Sequence, residues 1–334
     1  GMTSLDVNHA DSLATLRTAF ELGINFYDTA YCYGANGESE KLIAEALGSQ
    51  REQIVIATKG GLHWEPDGSR MFDARPATLR RQCEESLQRL DTDYVDLLYL
   101  HAPDGATPLA DSAGALSELL TEGKTRAVGV SNLDLQQLQT FHAVCPVSAL
   151  QPPYNLLQRQ IETNLVPWCQ SEGISVIPYW PLLKGLLAGK LPRDHQFAAG
   201  DGRAKYTMFQ GKEWEKNQDF VDRLRQIGEE VDKTVAQIAV NWVLNQPGIT
   251  SALCGAKRAS QITETASAGD WTLPASAAQQ LQEALRLRGV VRDPDDRPDG
   301  RLAHQLLDRA RRLGVARGGR LVEQQHLARV RVRV

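Results

Sequence analysis

Residues 25–40 read NFYDTAYCYGANGESE. An apolar run ends in Asp28, and two tyrosines and a cysteine follow within five positions. A Gly-rich turn then opens the helical stretch ESEKLIAEAL. Packing alone needs no carboxylate at the end of a buried strand, and a plain turn needs no tyrosines. A strand, a loop carrying reactive side chains and a helix make a βα unit with its chemistry at the strand's C-terminal end.

The same unit recurs along the chain. DSLATLRTAFEL (11–22) has a helical period ahead of it. QIVIATK (53–59) is a strand rich in β-branched residues, and PATLRRQCEESLQRL opens with Pro at a first helical position. Further strands are YVDLLYLH (94–101), TRAVGVS (125–131), VSALQPP (147–153), ISVIPYW (174–180) and ITSALCGA (249–256). The helical stretches between them start at Pro108, Leu133, Glu162 and Thr234, the last after an irregular stretch at about 188–215. Strands alternating with helices predict an α/β fold, and seven strands at this spacing suit a (β/α)8 TIM barrel. A doubly wound sheet would want GxGxxG after its first strand, and none is present.

Eight strands leave one unaccounted for. GMTSLDVNHA, ahead of the first helix, is too short and polar, so the first strand is expected to be missing, truncated or replaced. The barrel is placed in residues 1–290 and a basic tail in 291–334. Within that tail RDPDDRPDG (292–300) reads as a linker, LAHQLLDRARRLGV as a short basic helix, and ARVRVRV (328–334) alternates like an exposed strand.

Composition narrows the class. With 42% hydrophobic residues among 334, a large core is available. No run of about 18 apolar residues exists, and no signal-peptide pattern opens the chain. No membrane association and a cytoplasmic location are therefore expected. The five cysteines include no CxxC pair, which points to free thiols rather than disulfides or a metal site. Residues 301–334 hold nine Arg and two acids against a net charge of −4, so the preceding body carries about −11 and does not invite nucleic acid.

The polar residues beyond successive strands are Asp28 and Tyr33, then Lys59, then His101. In a parallel barrel all four lie at the C-terminal mouth, where this fold builds active sites. A phenol alone is a sluggish acid at neutral pH. An ammonium beside it favours loss of its proton, a carboxylate keeps that ammonium charged and fixed, and a neutral imidazole orients a carbonyl oxygen. The set suits general-acid protonation of an oxygen while its carbon is attacked. With no activated Ser or Cys in evidence, hydride from a nicotinamide is the natural attacker.

DTAYCYG, IVIATKGG, LDTDYVDLLYLHAPD, KTRAVGVSN and QPPYNLL, over about residues 11–290, resemble the aldo-keto reductases. IPYWPLLKGLLAGKL and CGAKRASQ resemble bacterial NADP-dependent members of the general-stress and inositol-utilisation type. The resemblance implies a (β/α)8 barrel that reduces aldehydes or ketones to alcohols, with a tetrad of Asp28, Tyr33, Lys59 and His101 and with Tyr33 as proton donor. It implies that Ser131, Asn132 and Gln151 bind the nicotinamide carboxamide and that Tyr179 stacks on its ring. Pro181, Leu182, Lys184 and Lys190 would follow the pyrophosphate. Gly255, Lys257, Arg258, Gln261 and Glu264 would meet the 2′-phosphate end, with Arg203 reaching across. The free N–H groups of a helix start and two cations suit a phosphate, which favours NADP(H) over NAD(H). Tyr31, Trp64 and Trp180 are candidate pocket walls for a flat or apolar carbonyl substrate, and His63 lies in the same loop as Trp64. Trp180 and Thr265 depart from the family's usual small polar residue and Asn. Two other readings of the same residues are an NADP-binding regulatory subunit resembling the potassium-channel β subunits and an inactive truncated copy.

Overall fold

The structure, a computed structural model, describes residues 7–290 and the backbone of a strand at 330–333. Eight strands form one parallel sheet: β1 (Phe26–Asp28), β2 (Val55–Gly60), β5 (Leu97–Leu100), β6 (Val128–Ser131), β7 (Ala149–Gln151), β8 (Ser175–Val176), β9 (Ala252–Gly255) and β10 (Val330–Arg333). A separate antiparallel hairpin, β3 (Leu62–Trp64) and β4 (Arg70–Phe72), follows β2. The helices are α1 (His9–Glu21), α2 (Glu38–Leu47), α3 (Pro76–Leu90), α4 (Leu109–Thr121), α5 (Leu135–Val144), α6 (Leu165–Glu172), α7 (Gly211–Val231), α8 (Val235–Leu244), α9 (Ala259–Ala266) and α10 (Ala275–Arg288).

The sheet order is β8-β7-β6-β5-β2-β1-β10-β9. It curls round so that β8 meets β9 through parallel bridges at Val176–Ile249 and Tyr179–Leu253. That is the expected barrel. Alternation sorts the side chains. Phe26, Ala57, Leu97, Tyr99, Ala127, Ala149, Ile177 and Leu253 pack together inside the ring. Their neighbours Tyr27, Ile56, Leu98, Val128, Leu150 and Val176 face the helices. The interior is tight: a Cβ at Gly129 would lie 2.4 Å from the Tyr99 ring, so only glycine admits that tyrosine.

Helix ends follow the local sequence. Asp134 and Thr234 each form a capping box with the glutamine three residues on, starting α5 and α8. The strand ISVIPYW is shortened to Ser175–Val176, because Pro178 offers no N–H and pairing continues only as isolated bridges. The described residues ahead of α1 contain no strand. The barrel position between β1 and β9 is taken instead by β10, from the ARVRVRV segment, which is thus paired on both sides. The linker and basic helix expected at 292–315 lie outside the described residues. Among the described residues no helix is long and apolar enough to cross a membrane, and no group of three acidic, His or Cys side chains could hold a metal.

Candidate active site

β1 ends in Asp28 and β2 carries Lys59, and both side chains are buried (0% and 1% exposed). Lys59 Nζ donates to Asp28 Oδ2 at 2.6 Å and to the Thr29 carbonyl at 2.6 Å. The other carboxylate oxygen, Oδ1, accepts from Gln151 Nε2 at 2.8 Å, at the end of β7. The Gln151 carbonyl in turn accepts from the Ser131 hydroxyl at 2.7 Å, at the end of β6. A buried ion pair is tolerable only when its remaining polar atoms are satisfied, and these bonds do that.

The loop after β1 separates its two tyrosines. Tyr33 packs on Ala30, Cys32 and Leu62. Lys59 Nζ stands 5.0 Å from the Tyr33 ring centre, and the His101 ring meets Tyr33 edge-on at 5.9 Å. Tyr31 turns onto α3, where its hydroxyl donates to Glu85 at 2.5 Å and Arg89 lies 4.3 Å over its ring. The sequence places both tyrosines at one strand end, and the structure brings only Tyr33 beside Lys59 and His101.

His101 follows β5, and its N–H donates to the Gly60 carbonyl at 2.9 Å. Its carbonyl accepts from Asn132 Nδ2 at 2.9 Å. Its Nδ1 faces Cys32 Sγ at 3.7 Å, so one of the thiols expected to be free touches the imidazole. A second network was not legible in the sequence. Fully buried Glu40 accepts from Thr58 Oγ1 at 2.7 Å and from Arg89 at 3.2 Å, and Arg89 also donates to the Tyr31 carbonyl at 3.3 Å. It props the Tyr31–Tyr33 loop from below with a side chain 49 residues from Glu40 in sequence.

Trp64, on β3, donates its indole N–H to the Cys32 carbonyl at 2.7 Å and keeps 36% of its surface exposed. It thereby ties the hairpin to the tyrosine loop, and the Arg70 guanidinium lies 4.6 Å from its ring centre. His63 is held by Glu65 at 3.0 Å.

The expected cofactor residues gather in two groups. In the first group, the Tyr179 hydroxyl donates to Asn132 Oδ1 at 2.8 Å. Asn132 adopts a left-handed backbone (φ 60°), as do Trp180 (63°), Leu183 (42°) and Lys184 (56°). Such residues cost roughly 1 kcal/mol or more each and cluster where a function constrains the chain. The Trp180 ring stands edge-on to Tyr179 at 5.0 Å, and Lys184 Nζ lies 3.9 Å from the Trp180 ring centre. Pro181 and Leu182 complete the turn, and the Leu182 carbonyl accepts from Gly185 at 2.8 Å.

At the other end, Arg203 grips Asp201 (Nη2–Oδ2 2.7 Å). That hydrogen-bonded guanidinium, with Lys257 also nearby, holds the Asp201 carboxyl down at about 2 against burial. Lys190 pairs with Glu264 at 2.5 Å. Gly255 ends β9, Arg258 stands at the start of α9, and Gln261 accepts from the Lys257 N–H at 2.7 Å. The 190, 201–203 and 255–264 segments thus form one polar cluster. Thr265 is buried and bonds back to the Gln261 carbonyl at 3.0 Å.

The model of the aldo/keto reductase family matches residues 1–286. The chain is 35% identical to the aldo-keto reductase YhdN of Bacillus subtilis, covering 85% of each. It is 33% identical to the NADH-specific methylglyoxal reductase of Escherichia coli, covering 84% of this chain and 90% of that one. Among solved structures, the glycerol dehydrogenase AKR11B4 of Gluconobacter oxydans superposes with a TM-score of 0.79 at 35% identity, over 85% of this chain and 88% of that one. An aldo/keto reductase of Klebsiella pneumoniae, solved with NADP and acetate, superposes at 0.64 with 30% identity, over 82% and 85% of the two chains.

Proposed function

Because the chain belongs to the aldo/keto reductase family, whose members reduce small-molecule carbonyls with a nicotinamide cofactor, we propose that it reduces aldehydes or ketones with NADPH and that Tyr33 is the general acid. The observation that carries this reading is the position of Lys59, bonded to Asp28 at 2.6 Å and standing 5.0 Å from the Tyr33 ring centre. Asp28 fixes the position of the ammonium. The ammonium stands beside the phenol ring from which the proton is given. His101 orients the carbonyl oxygen by hydrogen bonding.

The residues present suit a nicotinamide. Gln151 uses its amide N–H on Asp28, so its amide oxygen is the atom to receive a carboxamide N–H. Ser131 and Asn132 stand beside it, and Tyr179 offers an aromatic face. A bound nicotinamide supplies the hydride that the carbonyl carbon takes up. Tyr33 gives its proton to the carbonyl oxygen, the alcohol leaves, and the phenolate regains a proton from solvent.

NADPH is preferred over NADH because Lys190, Arg203, Lys257 and Arg258 outnumber Asp201 and Glu264 in the cluster at α9. Pro181, Leu182 and Lys184 would lie along the pyrophosphate, and Gln261 beside the 2′-phosphate. Trp64 and Trp180 give the substrate wall an aromatic character suited to flat or apolar carbonyl compounds. The test is Tyr33→Phe with an aromatic aldehyde. Turnover should fall by about a hundredfold or more while NADPH still binds. Parental kcat in that variant would exclude Tyr33 as the acid.

A further inference from the structure

We propose that the C-terminal strand β10 is the stave that completes this barrel, and that the cofactor-binding mouth depends on it. β10 runs parallel to both neighbours, with Tyr27 opposite Val332 and Asp28 opposite Arg333 on one side, and Ala252 through Gly255 opposite Val330 through Arg333 on the other. Without it, β1 and β9 would be two edges inside a buried sheet. With β10 in place, Phe26, Tyr27, Ala252, Leu253 and Cys254 are each at most 1% exposed, so departure of the strand would unpair the backbone groups on both edges and uncover residues that are now buried.

The strand also comes from outside the stretch that matches the family, which ends at residue 286. Its direction carries the functional consequence. Being parallel, it ends at the mouth, and Arg333 stands in register between Asp28 and Gly255. Asp28 anchors Lys59, and Gly255 opens the turn into α9. β10 therefore sets the spacing between the proton-transfer group and the phosphate end of the cofactor site. This second step rests on the function proposed above; the strand's place in the barrel does not.

The test uses the full chain. In Val332→Cys, a short thiol cross-linker should join position 332 to Cys254, its register partner, within one chain, as read by peptide mapping. In Val332→Pro the strand loses an N–H between two neighbours and should leave the slot. Alkylation of Cys254 should then accelerate tenfold or more, Cys145 and Cys169 in other βα units should stay protected, and the Kd for NADPH should rise at least tenfold. Added peptide ARVRVRV, but not a scrambled one, should restore Cys254 protection. If Val332→Pro exposes all the cysteines together, rescue by the peptide supports the proposal and failure to rescue overturns it. Absence of the 254–332 link, or unchanged Cys254 labelling in Val332→Pro, overturns it as well. A link that forms in a chain that never binds NADPH would keep the strand and remove the cofactor reading.

Discussion

Asp28 and Lys59 form an ion pair at 2.6 Å with neither side chain more than 1% exposed, and Gln151 closes the second carboxylate oxygen. Removing one partner strands the other charge in the interior. Asp28→Asn and Lys59→Met are each expected to cost about 3–5 kcal/mol in urea unfolding. The double variant should cost well under the sum, because a neutral pair leaves no uncompensated charge. All three should lose turnover. Strict additivity in the double-mutant cycle would show that the two charges are not coupled.

Tyr31→Phe separates the two tyrosines. Its hydroxyl bonds Glu85 on α3 and lies outside the Tyr33, Lys59 and His101 group. The variant should keep kcat within a few-fold and lose about 1 kcal/mol of stability. A hundredfold fall in kcat with an unchanged melting midpoint would put Tyr31 in the chemistry.

Arg89 is the cation facing buried Glu40, and it also holds the Tyr31 carbonyl. Arg89→Met leaves a carboxylate in the core and should destabilise the fold by about 3 kcal/mol or more. Arg89→Met with Glu40→Leu should recover much of that loss. Amide hydrogen exchange of residues 29–37 should rise in the single variant and not in Tyr31→Phe. Equal protection in both would remove Arg89 as the support of this loop.

Lys257→Ala tests the cofactor preference. Loss of one cation at a phosphate should raise the Kd for NADPH about tenfold or more and leave NADH nearly untouched. Equal weakening of both would place Lys257 on a group that the two cofactors share. Asp201 engages Arg203, so Asp201→Asn should tighten NADPH rather than weaken it.

The strand ends were legible because each apolar run stops at a chemically distinct residue, and parallel strands put those stops on one face. What the sequence withheld depends on long-range partners. The family resemblance singles out Tyr33 from Tyr31, but only the fold shows that Glu85 and Arg89 on α3 hold Tyr31. The hairpin β3–β4 was missed because each strand is three residues long, with Met71 and Phe72 at 47% exposure and Leu62 its one buried apolar residue, so no alternation marks it. Alternation in ARVRVRV announces a strand, but nothing local says that its slot lies between the ends of β1 and β9.

Asp104 gives the fold an acid limit. Three residues after His101, it accepts from Ala74 N–H at 2.9 Å, Ala106 N–H at 2.9 Å, and the Thr107 N–H and hydroxyl at 2.7 Å each. Burial would raise its carboxyl, but these bonds outweigh it and hold the group at about 2, below the ordinary 3.8. The unfolded chain therefore binds this proton first as pH falls. The stabilisation is complete above about pH 4 and is lost as pH drops toward 2, by roughly 1–2 kcal/mol once solvent screening is allowed for. Urea midpoints between pH 5 and 2 should fall less steeply in Asp104→Asn than in the parent, and the variant should start lower at pH 7. Parallel curves would mean that this carboxylate does not couple the loop after β5 to the start of α3.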